Sequence, residues 1–489
     1  MGSAIAVLSK RDENVTSKAV KMLNVLRHRG AETYGLSDGG EIVIAKSLED
    51  IISMDMKSNV ALACNFKRIL PEDAPQLMEI DGFEVLFEGR TFPPNEKSEV
   101  AGLIKRSRGD VEEAAKNMIR TLNGSFVFII LERVGKLIVG RDPVGAVPLY
   151  LGENEHVYAL ASERKALWSI GIEDSRIKSF PPGNLAKICS ESIVLVPVKT
   201  IERTMIGSLD EKYIIDKLHS LLLNSIKRRT ADTKRVSIAF SGGLDSSVIA
   251  ALVKKIGVEA LLICVGLEGS EELEHAEKIA ENIGLPFRAE AYTPDHVERD
   301  LRKVLWLIES ANALKISIGI PIFWAAEVSS KMGCGILLSG QGSDEIFAGY
   351  HKYLRGYEKL EGKIEGLLYH DVLSLYETSL EQDEKICSFH GVEVRFPYAD
   401  YDLMSFALSL PAALKIESED DPLRKRILRR LAENMGLPPE VYLKPKKAIQ
   451  YGTGVAKALR KLGRRMGLDM QSFINQLFEE VKQIGWGRQ

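Results

Sequence analysis

The sequence predicts a two-domain protein: an α+β layered domain over residues 1–205, then a parallel-sheet α/β domain over residues 206–489. Three observations predict it. A chain of 489 residues is too long for one ordinary hydrophobic core and long enough for two. Through the first part, short β-rich runs alternate with Gly/Pro turns, at EIVIA (41–45), FEVLF (83–87), SFVFIIL (125–131), KLIVGRD (136–142) and VYALAS (157–162). From residue 211 onward, apolar strands are each followed by an amphipathic helix, as in VSIAF then DSSVIAALVKKI, and ALLICVG then EELEHAEKIAENIG.

Helical patterning at 15–27 and 97–122 interrupts the early strands, which favours layers of helix and sheet over a pure sandwich. PPG at 181–183 and a polar run around 200–211 mark the exit from this domain. The strand–helix alternation that follows implies a parallel sheet. Right-handed crossovers then leave loops at the carboxyl ends of the strands, where ligands bind in open α/β sheets.

Composition narrows the function. A net charge of −3 gives no electrostatic footprint for nucleic acid, so small substrates are expected. The five cysteines, Cys64, Cys189, Cys264, Cys334 and Cys387, have no CxxC or zinc-ligand spacing, which argues for a reducing compartment. No run approaches the roughly 18 apolar residues of a membrane span, and a cytoplasmic location is expected. The histidines show no metal-site spacing on one helix face.

The sharpest chemical signal is Ser241-Gly242-Gly243-Leu244-Asp245-Ser246-Ser247, between an apolar strand and an apolar-periodic helix starting near Ser246. Paired glycines let the backbone approach an anion, amide groups and the helix N-terminus point at it, and hydroxyls add donors. The string lacks the Gly-Lys-Ser/Thr ending of the γ-phosphate-transferring loop. Asp245 would repel an anion unless a cation lay between them, so it is assigned to Mg²⁺. A second strand-loop, Ser339-Gly340-Gln341-Gly342-Ser343-Asp344-Glu345, repeats the design. Asp344 is expected as a second Mg²⁺ ligand, with Ser339 and Gly340 against the sugar or α-phosphate. The alternative is that Asp344 and Glu345 cap a helix running from Ile346 towards Leu354.

At these residues the chain resembles the glutamine-dependent asparagine synthetases, whose synthetase half is an ATP pyrophosphatase. SGGLDSS, SGQGSDEIFAGY (339–350), EVRFPYAD (393–400) and KPKKAIQYGTG (444–454) carry the resemblance in the second half. LRHRGAETYG (26–35), GRDPVGAVPLY (140–150), ASERKAL (161–167) and FPPGN (180–184) carry it in the first. The resemblance implies an N-terminal α/β/β/α glutaminase-like sandwich and a C-terminal parallel-sheet domain with helical additions.

In that family the glutaminase nucleophile is a cysteine at residue 2; here residue 2 is Gly2, so no nucleophile is present. The glutamine-holding segment departs as well, reading Glu88-Gly89-Arg90 where the family has Asn-Gly-Glu, with Lys97 where a further acid would help. Glutaminase activity is expected to be absent. His28, in the HRG string, is assigned a structural turn role.

For the synthetase half the resemblance implies ATP as cosubstrate. A carboxylate, aspartate or a related acceptor, is activated as acyl-adenylate with pyrophosphate released, and ammonia then forms the amide as AMP leaves. Lys446 matches the active-site lysine that would neutralise phosphate charge, unless it belongs with Lys444 and Lys447 to a solvated basic face. Phe240 and Val265 should line the adenine slot, though both also read as strand core. Gln341 stands where the asparagine-forming enzymes have a glutamate; an amide accepts a hydrogen bond but takes no proton at neutral pH, leaving Glu345 or a substrate group as base. Two other readings stay open: the same adenylation on another metabolite or a macromolecule, and a nucleotide-binding regulator without turnover. A separate glutaminase as ammonia source and a homodimer stay open too.

Overall fold

The computed structural model describes the chain apart from residue 76 and residues 133–134, 205–209, 356–363, 446–448 and 485–489. It divides into two compact units, Met1–Thr200 and Ile201–Gln489. The expected boundary at 205/206 falls in the undescribed stretch that follows Arg203 and Thr204.

The first unit contains strands β1 (Ile5–Ser9), β2 (Thr33–Ser37), β3 (Ile42–Ala45), β4 (Val60–Phe66), β5 (Leu77–Ile80), β6 (Phe83–Thr91), β7 (Gly124–Glu132), β8 (Lys136–Arg141), β9 (Tyr150–Glu153), β10 (Val157–Ala161), β11 (Ile177–Ser179), β12 (Asn184–Cys189) and β13 (Ser192–Pro197). They form two antiparallel sheets, in the orders β11-β9-β10-β1-β4-β2-β3 and β13-β12-β8-β7-β6-β5. Side-chain alternation builds the layers. Ala6 and Leu8 of β1 meet Val127, Ile129 and Leu131 of β7 in the core between the sheets. Ile5 and Val7 point the other way, onto Ala19, Met22 and Leu23 of the helix Thr16–Val25. Phe126, Phe128 and Ile130 likewise cover Val100, Ile104 and Met118 of the helices Glu96–Arg106 and Val111–Thr121. The result is the α/β/β/α sandwich that the resemblance implied. The single helical stretch expected at 97–122 is two helices, broken where Arg108 and Gly109 take left-handed backbone.

The second unit holds strands β14 (Arg235–Ala239), β15 (Glu259–Leu267), β16 (Phe287–Tyr292), β17 (Ile336–Leu338) and β18 (Glu393–Arg395). All are parallel, in the order β16-β15-β14-β17-β18. The helices Leu244–Lys255, Glu271–Ile283, Pro294–Ile308 and Ala313–Lys331 lie between successive strands in the chain. The first begins two residues earlier than expected, at Leu244. No single described helix is long and apolar enough to cross a membrane.

One expectation fails here. No helix runs from Ile346 to Leu354: a short helix covers Ser343–Ile346 and a separate 3-10 turn covers His351–Tyr353. Between them Ala348 takes left-handed backbone, at φ 59°, and ends the helix.

Candidate functional site

The order of the parallel sheet reverses between β14 and β17: β15 and β16 extend it on one side, β17 and β18 on the other. The crevice outside the carboxyl ends at such a point is the usual ligand site of an open α/β sheet. Ser237 lies opposite Leu337 and Ile238 opposite Leu338, so the loops that follow the two strands leave side by side. These are the two glycine-rich loops. Gly242 and Gly342 take left-handed backbone, at φ 66° and 91°, which glycine adopts without a Cβ penalty.

The loops touch. Ser343 Oγ donates to Asp245 Oδ1 at 2.8 Å, and a Cβ on Gly340 would stand 3.2 Å from that of Asp245. Tyr398, just past β18, donates its hydroxyl to the Asp245 carbonyl at 3.1 Å. Within the first loop the Ser241 amide donates to Ser246 Oγ and the Gly243 amide to Ser241 Oγ, both at 3.3 Å. These are long hydrogen bonds, which oxygens of an incoming anion can replace. Ser247 Oγ is buried with no partner among the described residues. Ser339 is buried too, its amide donating to the Arg395 carbonyl at 3.0 Å.

Phe240 and Val265 sit at or just past the carboxyl ends of β14 and β15, both buried. The Phe240 ring meets Phe287 edge-on at 6.4 Å, so both residues are strand core as well as candidate walls of a slot. Glu345 is buried and accepts from the Tyr350 hydroxyl at 2.7 Å. Burial, with the Glu345 charge beside it, pushes the Tyr350 hydroxyl well above its ordinary pKa, so this is a stable donor. Gln341 donates through Nε2 to Asp383 Oδ2 at 3.1 Å.

Sequence reasoning missed Lys425. Its Nζ lies 2.7 and 2.8 Å from the two oxygens of Asp245, 2.7 Å from Asp344 Oδ1 and 3.1 Å from Ser343 Oγ. The side chain is 2% exposed. The two acids assigned to Mg²⁺ are therefore together, with an ammonium between them. The only signal in the sequence is a lysine in the basic run Leu423-Arg424-Lys425-Arg426, indistinguishable there from a solvated helix start.

Arg424 and Lys425 both take left-handed backbone, which costs roughly 1–3 kcal/mol per residue. Asp421 Oδ1 accepts from the Leu423 and Arg424 amides. Arg429 donates to the carbonyls of Leu423 and Arg424 and, from another nitrogen, to those of Tyr442 and Lys444. It thus ties the turn carrying Lys425 to the start of the lysine-rich segment. Lys446 itself lies outside the described residues, as does Lys447. On the far side of that gap Leu267, at the end of β15, donates its amide to the Thr453 carbonyl at 2.9 Å.

In the sandwich unit, Gly2 pairs with Phe66 and donates its amide to Glu88 Oε1 at 2.8 Å. Arg29 Nε donates to the Gly2 carbonyl at 2.6 Å. A Cβ at residue 2 would run into the Asn65 carbonyl oxygen. Glu163 is buried among His28 (3.0 Å), Arg29 (3.0 Å) and Lys165. Burial alone would raise the Glu163 carboxyl, but the His28, Lys165 and Arg29 charges hold it well below the ordinary carboxylate range. Arg90 is paired with Asp73 at 2.8 Å and Lys97 is exposed. Asp73 thus offsets the charge expected at Arg90.

Among the described residues no three His, Cys, Asp or Glu side chains are grouped to hold a metal ion. A divalent ion on a polyphosphate takes hard oxygen ligands, most of them from phosphate and water, so the two carboxylates fit such an ion as partial ligands.

The Asparagine synthase family matches residues 217–363 and 357–481, and the Glutamine amidotransferase domain matches residues 86–169. A putative glutamine-hydrolysing asparagine synthetase of Methanocaldococcus jannaschii is 28% identical over 98% of both chains. The asparagine synthetase of Sandersonia aurantiaca is 26% identical over 93% of this chain and 87% of that one. Among solved structures, a glutamine phosphoribosylpyrophosphate amidotransferase from B. subtilis covers 59% of this chain and 65% of that chain, at 16% identity and a TM-score of 0.32. The family match spans more than half of the chain and includes both glycine-rich loops, Asp383 and Lys425: the chain belongs to the asparagine synthase family.

Proposed function

We propose that the protein is an ATP-dependent amide ligase that activates aspartate, or a related small carboxylate, as an acyl-adenylate and aminates it with ammonia. The observation that supports this most is the meeting of the two loops at the switch point, with Asp245 and Asp344 sharing one buried ammonium.

In this reading the amides of Ser241, Gly242 and Gly243 and the start of the helix Leu244–Lys255 bind phosphate oxygens. Phe240 and Val265 face the adenine ring, and Ser246, Ser247, Ser339 and Gly340 complete the cradle. Asp245 and Asp344 would hold Mg²⁺, which would supply positive charge against the phosphate oxygens. Lys425, fixed by its strained turn, adds a second positive charge where negative charge gathers as the bond between the α- and β-phosphates breaks. Lys446 is assigned a similar role by its position in the family pattern. Glu345, held by Tyr350, keeps the second loop in place.

The sandwich unit is proposed to lack glutaminase activity, because Gly2 carries no side chain and its surroundings admit none. Purified protein with ATP, Mg²⁺, ammonium chloride and aspartate is expected to release pyrophosphate and form asparagine. Glutamine in place of ammonium is expected to give no glutamate above background. Failure with aspartate and with a panel of other small carboxylates would overturn the reading.

A further inference from the structure

The helix Glu381–Phe389 buries five consecutive polar residues, Glu381, Gln382, Asp383, Glu384 and Lys385. Five in a row cover more than a full helical turn, so this is no solvated stripe; charged residues are seldom buried without a task or a partner. A π-helical turn, Tyr376–Leu380, leads directly into them. Such a turn inserts one residue and re-aims the side chains that follow, and it recurs at functional sites.

Two of the five are anchored away from the nucleotide loops. Gln382 donates to the Lys315 carbonyl, and Lys385 to Glu309 at 3.0 Å and to the Ile308 carbonyl. Glu384 lies one residue before Lys385 and is 8% exposed. Asp383 is different. It is fully buried, its Oδ2 accepts from Gln341 Nε2 at 3.1 Å, and its Oδ1 has no partner among the described residues.

An ionised carboxylate accepts only, so the Gln341 group facing it must be the NH₂. The Gln341 carbonyl, Oε1, then occupies the other limb of the amide, with no partner among the described residues. Gln341 is half-buried in the loop that also holds Gly340, Ser343 and Asp344.

We propose that Asp383 is a positioning residue for the amination step: by accepting from Gln341 Nε2 it fixes the Gln341 carbonyl as the hydrogen-bond acceptor that holds the incoming amine. This rests on the amide-ligase reading above and adds to it how the nucleophile is oriented. The amine's N–H groups need an acceptor that leaves the nitrogen lone pair free for the acyl carbon, which an amide oxygen provides. Should Asp383 take up a proton it becomes a donor, the amide is satisfied in the opposite sense, and the NH₂ faces the amine instead.

The surroundings place that switch in an accessible range. Burial pushes the Asp383 carboxyl up to about 7, with the Gln341 hydrogen bond working against it. Other ionisable groups on its own helix are Glu381, Glu384, Lys385 and Cys387, whose thiol burial raises far above its ordinary value. On the elements packed against it, Glu309 is paired with Lys385, Lys315 donates to the Glu377 carbonyl, and Arg395 of β18 is paired with Asp232 and Glu393. On the Gln341 loop, Asp344 is paired with Lys425 and Glu345 with Tyr350.

The test separates the two half-reactions. ATP–pyrophosphate exchange with aspartate reads activation; amide formation at varied ammonium chloride, with KM expressed as free ammonia, reads amination. Asp383→Ala is expected to raise that KM at least tenfold while exchange changes less than threefold. Asp383→Asn is expected to flatten the wild-type rise in kcat/KM for free ammonia between pH 6 and 8. If Asp383→Ala loses exchange too, through misfolding, the near-isosteric Asp383→Asn decides. Wild-type ammonia KM and an unchanged pH profile in Asp383→Asn would overturn the proposal while leaving the ligase reading intact. A wild type that exchanges pyrophosphate with no carboxylate would overturn both.

Discussion

Lys425 Nζ lies within 2.8 Å of both carboxylate oxygens of Asp245, across 180 residues of sequence. It is also paired with Asp344, so one buried cation ties together the two loops that flank the switch point. Removing one member of a buried charge cluster leaves the others uncompensated, which costs about 3–5 kcal/mol. Lys425→Met is expected to lose pyrophosphate exchange by at least a hundredfold and to lower Tm. Added Mg-ATP should restore part of that Tm, because a divalent ion supplies the missing charge. Calorimetry with and without nucleotide checks both outcomes.

Gly349 has no room for a side chain. A Cβ there would overlap both Asp344 Oδ1 and the end of the Lys425 side chain. Gly349→Ala is expected to displace the ammonium from Asp344 and to reduce pyrophosphate exchange at least tenfold. The fold of the sandwich unit should be unaffected, which limited proteolysis would show.

Asp383 gives a stability signature with a definite sign. Its carboxyl is raised from 3.8 to about 7 in the folded protein, so the native state binds the proton more tightly than the unfolded chain. Its contribution is fully present below about pH 4 and is lost as pH rises through 7. At most on the order of 4 kcal/mol is involved, at 1.36 kcal/mol per unit. Asp383→Asn, which cannot ionise, should therefore gain in Tm relative to wild type between pH 5 and pH 8. A constant Tm difference across that range would remove the basis for the effect.

Gly2→Cys is expected not to restore glutamine hydrolysis, since the new Cβ would meet the Asn65 carbonyl oxygen. Glutamate release should stay at background and Tm should fall. A burst of glutamate would refute the steric argument.

Glu163→Gln would leave the buried Arg29 and Lys165 charges without a counter-charge, at a cost of about 3–5 kcal/mol. Because the native carboxyl is held below its ordinary value, wild-type stability from this group is present above pH 4.5 and lost as pH falls. The gap in Tm between wild type and variant should therefore narrow on acidification.

Local signals made the helix-and-sheet layering of the first unit, the parallel sheet and both glycine-rich loops legible in the sequence, because strand alternation and a Gly-Gly or Gly-x-Gly turn after an apolar run are properties of neighbouring residues; the α/β/β/α order came from the resemblance. Lys425 was not legible. Its partners are distant along the chain, and left-handed backbone at Arg424 and Lys425 has no sequence signature in non-glycine residues. Asp383 was hidden for a different reason: Glu-Gln-Asp-Glu-Lys reads as a solvated helix face, and only tertiary packing shows it to be interior. The helix expected after Glu345 stopped early because Ala348 adopts a conformation that propensity does not anticipate.

A pocket that carries its own counter-ion rests in a neutralised state. Asp245 and Asp344 need no borrowed cation to lie side by side, so an apo molecule can keep both loops assembled in metal-poor solution and bind bare divalent ions only weakly. Recruitment then starts from the polyanion, whose arrival brings the negative charge that makes a second cation welcome. Nucleotide and ion should accordingly saturate together, each tightening the other.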